Sequence, residues 1–187
     1  MTDTTIFEPT GRAIPFAVEG EGPVSLVMFS EGGLEADGLA VISHYLVEEA
    51  GFHVVRIGSA AESAGVDERV EGAVEVLRHI GLEHTWIGGH GAGGSVARTF
   101  AASHPDRTNG LLLLGVEDGE LPLPPLMPVL IIQGADDDVT PPAHGARLHS
   151  TAPERTSVNN IDGAGHLFPL THPIETAFII EEYLDWD

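Results

Sequence analysis

The sequence predicts an α/β fold, a mostly parallel central sheet with helices on both faces, in one domain spanning residues 1–187. Three observations carry that prediction. Short runs rich in Val, Ile and Leu alternate with longer stretches of helical spacing along the whole chain, the pattern of βαβ units. Glycine or proline punctuates most of these segments, as turns between elements require. With 42% apolar and 20% charged residues among 187, the chain can bury a core large enough for one well-formed domain.

The elements follow in order. Residues 4–18 offer an antiparallel hairpin at one edge of the sheet. Residues 24–30 (VSLVMFS), entered through Pro23, read as a buried strand. Residues 39–50 have helical spacing and stop at Gly51, and residues 53–57 form the next strand. The stretch 67–80 places Val70, Ala73, Val74, Val76 and Leu77 on one side of an amphipathic helix that ends at Gly81. A strand over 84–89 leads to a helix over 94–103, ended by His104-Pro105. Residues 110–115 (GLLLLG) are a wholly apolar strand, and 129–133 another. A helix over 143–150, a strand over 157–161 and a helix over 173–184 complete the alternation. The segment 115–128, with prolines at 122, 124, 125 and 128, reads as a short linker.

Charge restricts the partners. There are 29 Asp and Glu against eight cations, all arginine, for a formal net charge of −21. Such a surface repels phosphate backbones and anionic headgroups, so neither nucleic acid nor a bare membrane is an expected partner. A small-molecule substrate or ligand is. The oligomeric state has no sequence signature. The absence of cysteine excludes disulfides, thiolate metal sites and cysteine nucleophiles. The first residues lack a basic region followed by an apolar one, and no apolar run approaches the roughly 18 residues that cross a bilayer, which predicts a cytoplasmic protein.

The chemistry concentrates at Gly88-Gly89-His90-Gly91-Ala92-Gly93-Gly94-Ser95, a glycine-rich turn between a strand and a helix. Gly89, Gly91 and Gly94 fit the G-x-G-x-x-G spacing of dinucleotide binding, with Glu117 or Asp118 roughly 20 residues on as the ribose contact. Against that, no lysine exists and no arginine lies between Gly89 and Ala97 to meet a pyrophosphate.

The same turn resembles the G-H-S-x-G-G nucleophile elbow of the α/β-hydrolase family, with Gly91 where the serine would stand. Two further segments carry the resemblance. Gly134-Ala135-Asp136-Asp137-Asp138-Val139-Thr140-Pro141 is similar to the family's acid loop and aligns Asp137 with the catalytic acid. Asp162-Gly163-Ala164-Gly165-His166 is similar to its histidine loop and aligns His166 with the general base. The order elbow, acid, histidine is that of the family. The resemblance implies an α/β-hydrolase fold with the cap domain essentially absent, the cap's place being taken by residues 115–128.

The resemblance also implies roles. Asp137 would orient His166, which accepts a proton near neutral pH. Glycine has no side chain to attack a carbonyl, so the acyl-enzyme route through position 91 is closed. Ser30, Glu31, Gly32, His90 and Ala92 make up the oxyanion and substrate-binding set, with the N–H groups of Ala92 and of Glu31 or Gly32 as donors. Ser30 is the candidate substitute nucleophile, and Ser95, one turn into the helix, is expected to pack against the sheet. His90 is expected to support the turn from beneath. A glutamate beside an oxyanion hole opposes its purpose, so Glu31 reads as a solvated loop acid. The remaining histidines show no paired ligand spacing, so neither metal nor cofactor is expected. The expected function is a hydrolase or lyase acting on a small molecule through a His–Asp pair without serine. The alternatives are a non-catalytic relative that binds a small ligand or protein partner, and the dinucleotide binder.

Overall fold

The structure is a computed structural model that describes residues 3–34, 38–59 and 64–185. Eight strands form one sheet in the order β1-β2-β4-β3-β5-β6-β7-β8. β1 (Thr5–Phe7) and β2 (Ile14–Glu19) are the edge hairpin, with Thr5 opposite Phe16. β2 also runs antiparallel to β4 (His53–Ile57). All later pairings are parallel: β3 (Ser25–Phe29) with β4 and with β5 (Thr85–His90), then β6 (Thr108–Leu114), β7 (Val129–Gly134) and β8 (Thr156–Ile161). The central strands are apolar on both faces because helices cover both.

On one face lie α1 (Leu39–Glu48), the short α5 (Phe168–Thr171) and α6 (Pro173–Leu184). They bury Leu39, Ile42, Leu46, Phe168, Ala177 and Ile180 against Met28, Leu112, Leu130 and Ile132. On the other lie α2 (Val66–Ile80), α3 (Ala92–Ser103) and α4 (Pro142–Ser150). There Val76, Leu77, Val96, Phe100 and Leu148 pack on Val27, Ile87, Leu111, Leu113 and Ile131. Residues 115–128, between β6 and β7, hold neither helix nor strand, so the cap is absent. Among the described residues no helix is long and apolar enough to cross a membrane.

Two departures from the sequence reading matter for the site. The helix expected from residue 94 begins at Ala92, and the strand expected to end at residue 89 runs through His90. One residue, Gly91, therefore turns the chain, at φ 52° and ψ −118°, a region that side chains with a Cβ disfavour. Glycine at positions 93 and 94 works against an early helix start, because its helix propensity is low. Packing overrides it, since a Cβ on Gly89 would overlap the carbonyl of Gly93, and one on Gly93 that of Phe29. Secondly, α5 follows His166 immediately, where the sequence suggested only loop.

Sheet order then places the site. The chain leaves β3 to pair β4 on one side and returns to pair β5 on the other. The loops beyond the carboxyl ends of β3 and β5 diverge around a crevice, the usual ligand position in open α/β sheets. Ser30-Glu31-Gly32 and Gly91 stand on its two sides.

Candidate active site

Asp137 is held by the turn after β7. Its Oδ1 accepts the N–H groups of Val139 and Thr140, each at 2.8 Å. Its Oδ2 accepts the Thr140 hydroxyl at 2.6 Å and Nδ1–H of His166 at 3.0 Å. The Asp137 side chain is 0% exposed. Burial pushes its pKa up, but the Thr140 hydroxyl and N–H, with His166, outweigh that and hold the carboxyl below its usual range.

His166 lies in the loop after β8, 13% exposed at its side chain. Nδ1 meets Asp137 and is 3.0 Å from the Thr140 hydroxyl oxygen. Nε2 is 3.1 Å from Oε1 of Glu31. Burial lowers the pKa of this ring, while the hydrogen bonds to Asp137 and Glu31 raise it by more, so the net shift is upward.

Glu31 keeps the solvent exposure expected of a loop acid, 40% at its side chain, but it is not directed away from the site. The carboxylate turns inward, and a Cβ on Gly91 would overlap it. It thus fills the space that the side chain of residue 91 would claim, beside the first turn of α3, where unpaired N–H groups favour an anion. The loop carrying it is pinned at three points: the Ser30 N–H to the Ile57 carbonyl at 3.2 Å, the Arg69 guanidinium to the Ser30 carbonyl at 2.6 Å, and the Ser59 N–H to the Gly32 carbonyl at 2.8 Å. The contact with His166 was not legible in the sequence, because the reach of a loop side chain depends on which strand lies next door.

His90 is buried as expected of a residue that supports the turn, and it also faces Glu31. Nε2–H donates to the carbonyl of His166 at 2.9 Å, and Nδ1 is 3.6 Å from Oε2 of Glu31. The two imidazole rings lie 4.6 Å apart. Burial lowers the pKa of His90, with the charge of Glu31 opposing.

Three other expectations change. The Ser30 hydroxyl is buried and donates to the Gly32 carbonyl, so it is not presented to His166 as a substitute nucleophile. Ser95 does not simply pack on the sheet: its hydroxyl donates to Glu117 at 2.6 Å. That bond takes up Glu117, one of the two acids that the dinucleotide reading offered to a ribose; the other, Asp118, accepts from Arg147 at 2.7 Å. Ala92 is the first residue of α3 and Gly32 lies in the pinned loop, the segments from which oxyanion donors were expected. Thr140 and Arg69 were missed. Thr140 had a signal, since Asp-x-x-Thr in a turn favours side-chain bonds back to the aspartate. Arg69 had none.

An eight-stranded, mainly parallel sheet with a one-residue elbow after β5, an acid after β7 and a histidine after β8 defines an α/β-hydrolase scaffold. The chain belongs to the α/β hydrolase family, whose model matches residues 25–168. No curated protein sequence matches it. Among solved structures, a serine hydrolase from Cycloclasticus zankles superposes with a TM-score of 0.84 at 12% identity, covering 99% of this chain and 98% of the other. A predicted CIB-like hydrolase from Thermoplasma acidophilum gives 0.81 at 15% identity, covering 98% of each. A thermophilic esterase from Thermogutta terrifontis gives 0.76 at 18% identity, covering 99% and 98%. Identities this low establish the shared fold.

Proposed function

We propose that this protein hydrolyses a small molecule with water, rather than a side-chain hydroxyl, as the attacking group. The observation that carries the reading is the Glu31 carboxylate at the position of the missing serine side chain, 3.1 Å from Nε2 of His166. The imidazole remains oriented by Asp137, as a proton-carrying histidine must be. In this reading Glu31 takes the proton of a water that attacks the substrate carbonyl and passes it across the 3.1 Å contact to Nε2 of His166; the bond to the leaving oxygen then breaks, and His166 delivers that proton to the oxygen. The structural neighbours include proteins described as a serine hydrolase and an esterase, which supports ester-like substrates.

Hydrolysis of short p-nitrophenyl esters by the wild type, Glu31→Gln and His166→Ala tests this. The expected result is steady turnover without a burst in the wild type and at least about a 100-fold loss in each variant. Wild-type activity equal to both variants overturns it. The same carboxylate, by filling the serine's place, also favours a second reading, a non-catalytic family member that binds a small ligand or protein partner. Wild-type protein inert towards every ester tried would put that reading first.

A further inference from the structure

We infer that Glu31, His90 and His166 form a binding site for one divalent first-row transition-metal ion. The inference starts from where hydrogens must lie. The Nε2 of His90 is bonded to the backbone carbonyl of His166 at 2.9 Å. A carbonyl only accepts, so the hydrogen is on Nε2 and Nδ1 of the neutral ring carries a lone pair. Nδ1 of His166 is bonded to Asp137, whose Oδ2 already accepts the Thr140 hydroxyl. That hydrogen is therefore on Nδ1, and Nε2 of the neutral ring offers a lone pair. Both lone pairs face one carboxylate, at 3.1 Å for Nε2 to Oε1 and 3.6 Å for Nδ1 to Oε2.

With both rings neutral, three acceptors converge on one point. One proton on Nε2 of His166 satisfies the contact with Oε1 but leaves His90 facing Oε2. A dication satisfies all three. One ligand atom from each residue lies within 4.8 Å of the others. Zinc–nitrogen and zinc–oxygen bonds of about 2.0–2.2 Å require tetrahedral ligand atoms roughly 3.3–3.5 Å apart, and the two carboxylate-to-nitrogen distances, 3.1 and 3.6 Å, bracket that spacing.

The surroundings match those of metal-bound histidines, whose second nitrogen is almost always given to a carboxylate or a backbone carbonyl. His166 has the carboxylate of Asp137, and His90 the carbonyl of His166. Two imidazoles and one carboxylate are a donor set for zinc, cobalt or iron(II) rather than for magnesium or calcium. Glu31 is 40% exposed at its side chain, which leaves a path of entry and room for water on the ion. The net charge of −21 favours cation approach.

The site shares residues with the hydrolytic reading but is tested without substrate, so each can fail alone. Full-length protein stripped with EDTA is titrated with Zn2+ by calorimetry and with Co2+ by visible absorption. The expected result is one ion per chain, with tetrahedral or five-coordinate cobalt bands and a raised Tm for the loaded wild type. Glu31→Gln and His90→Gln each weaken Zn2+ affinity by about 100-fold or more, and Asp137→Asn by about 10–100-fold through loss of orientation. His44→Gln, at a histidine 70% exposed at its side chain, leaves affinity unchanged. Cooperative melting of the stripped variants shows that they fold. No stoichiometric binding, or binding indifferent to Glu31→Gln and His90→Gln in folded protein, overturns the inference.

Discussion

Oε1 of Glu31 lies 3.1 Å from Nε2 of His166 although 135 residues separate them in the chain. The contact joins the loop after β3 to the loop after β8, across the turn at Gly91. It converts an apparently vacant serine position into one occupied by a carboxylate, and the site's testable properties follow from that.

Gly91→Ser alone is expected to show no burst with p-nitrophenyl esters. Its Cβ would overlap the Glu31 carboxylate, and position 91 has φ 52°, so the change costs about 1–3 kcal/mol in stability. A serine hydroxyl would reach His166 only when Glu31 is shortened. Gly91→Ser combined with Glu31→Ala should show a burst with p-nitrophenyl esters that vanishes on adding His166→Ala. A burst in the single variant would mean that Glu31 does not hold its place in solution.

Asp137→Asn should damage stability and activity together. Oδ1 and Oδ2 accept four hydrogen bonds, and an amide replaces one acceptor oxygen by a donor. Leaving buried donors unmet costs about 2 kcal/mol, which in a chain of this size lowers Tm by roughly 4–8 °C. Ester turnover should fall by about 10³-fold or more as the His166 tautomer is lost. A thermal melt within 1 °C of wild type, an order-of-magnitude threshold on that same scale, would contradict this account of the acid loop.

The elbow glycines should divide by what a methyl group meets. Gly89→Ala drives a Cβ into the backbone of Gly93 and should cost about 3 kcal/mol or more. In Gly94→Ala the closest approach is 3.3 Å, to the Gly89 carbonyl oxygen, and improved helix propensity of about 1 kcal/mol offsets the crowding. Its unfolding free energy in urea should stay within about 1 kcal/mol of wild type. Equal losses in both variants would argue against the strand–helix contact described.

Dinucleotides should not bind. The position at the start of α3 that would receive a pyrophosphate holds the Glu31 carboxylate, and Glu117 is engaged by Ser95. Calorimetry with NAD and FAD at neutral pH is expected to show no heat of binding. Micromolar stoichiometric binding would reverse the assignment of the site.

The sequence by itself determined the order of elements, the sharp glycine turn after β5 and the spacing of Asp137 and His166. These are local: apolar periodicity selects strand or helix within a window of residues, and a glycine turn is written in consecutive positions. Helix starts were less legible, because the packing of Gly89 and Gly93 against neighbouring backbone moved α3 forward to Ala92. Thr140 was within reach of the sequence, since its bond to Asp137 spans three residues. Tertiary structure alone decided the fate of Glu31 and His90. Their meeting with His166 depends on β3 lying beside β5 and on where the loop after β8 crosses the sheet end. Contacts over 76 and 135 residues are set by sheet order and by loops pinned from other elements, Arg69 among them, and no local pattern in the chain encodes such distances.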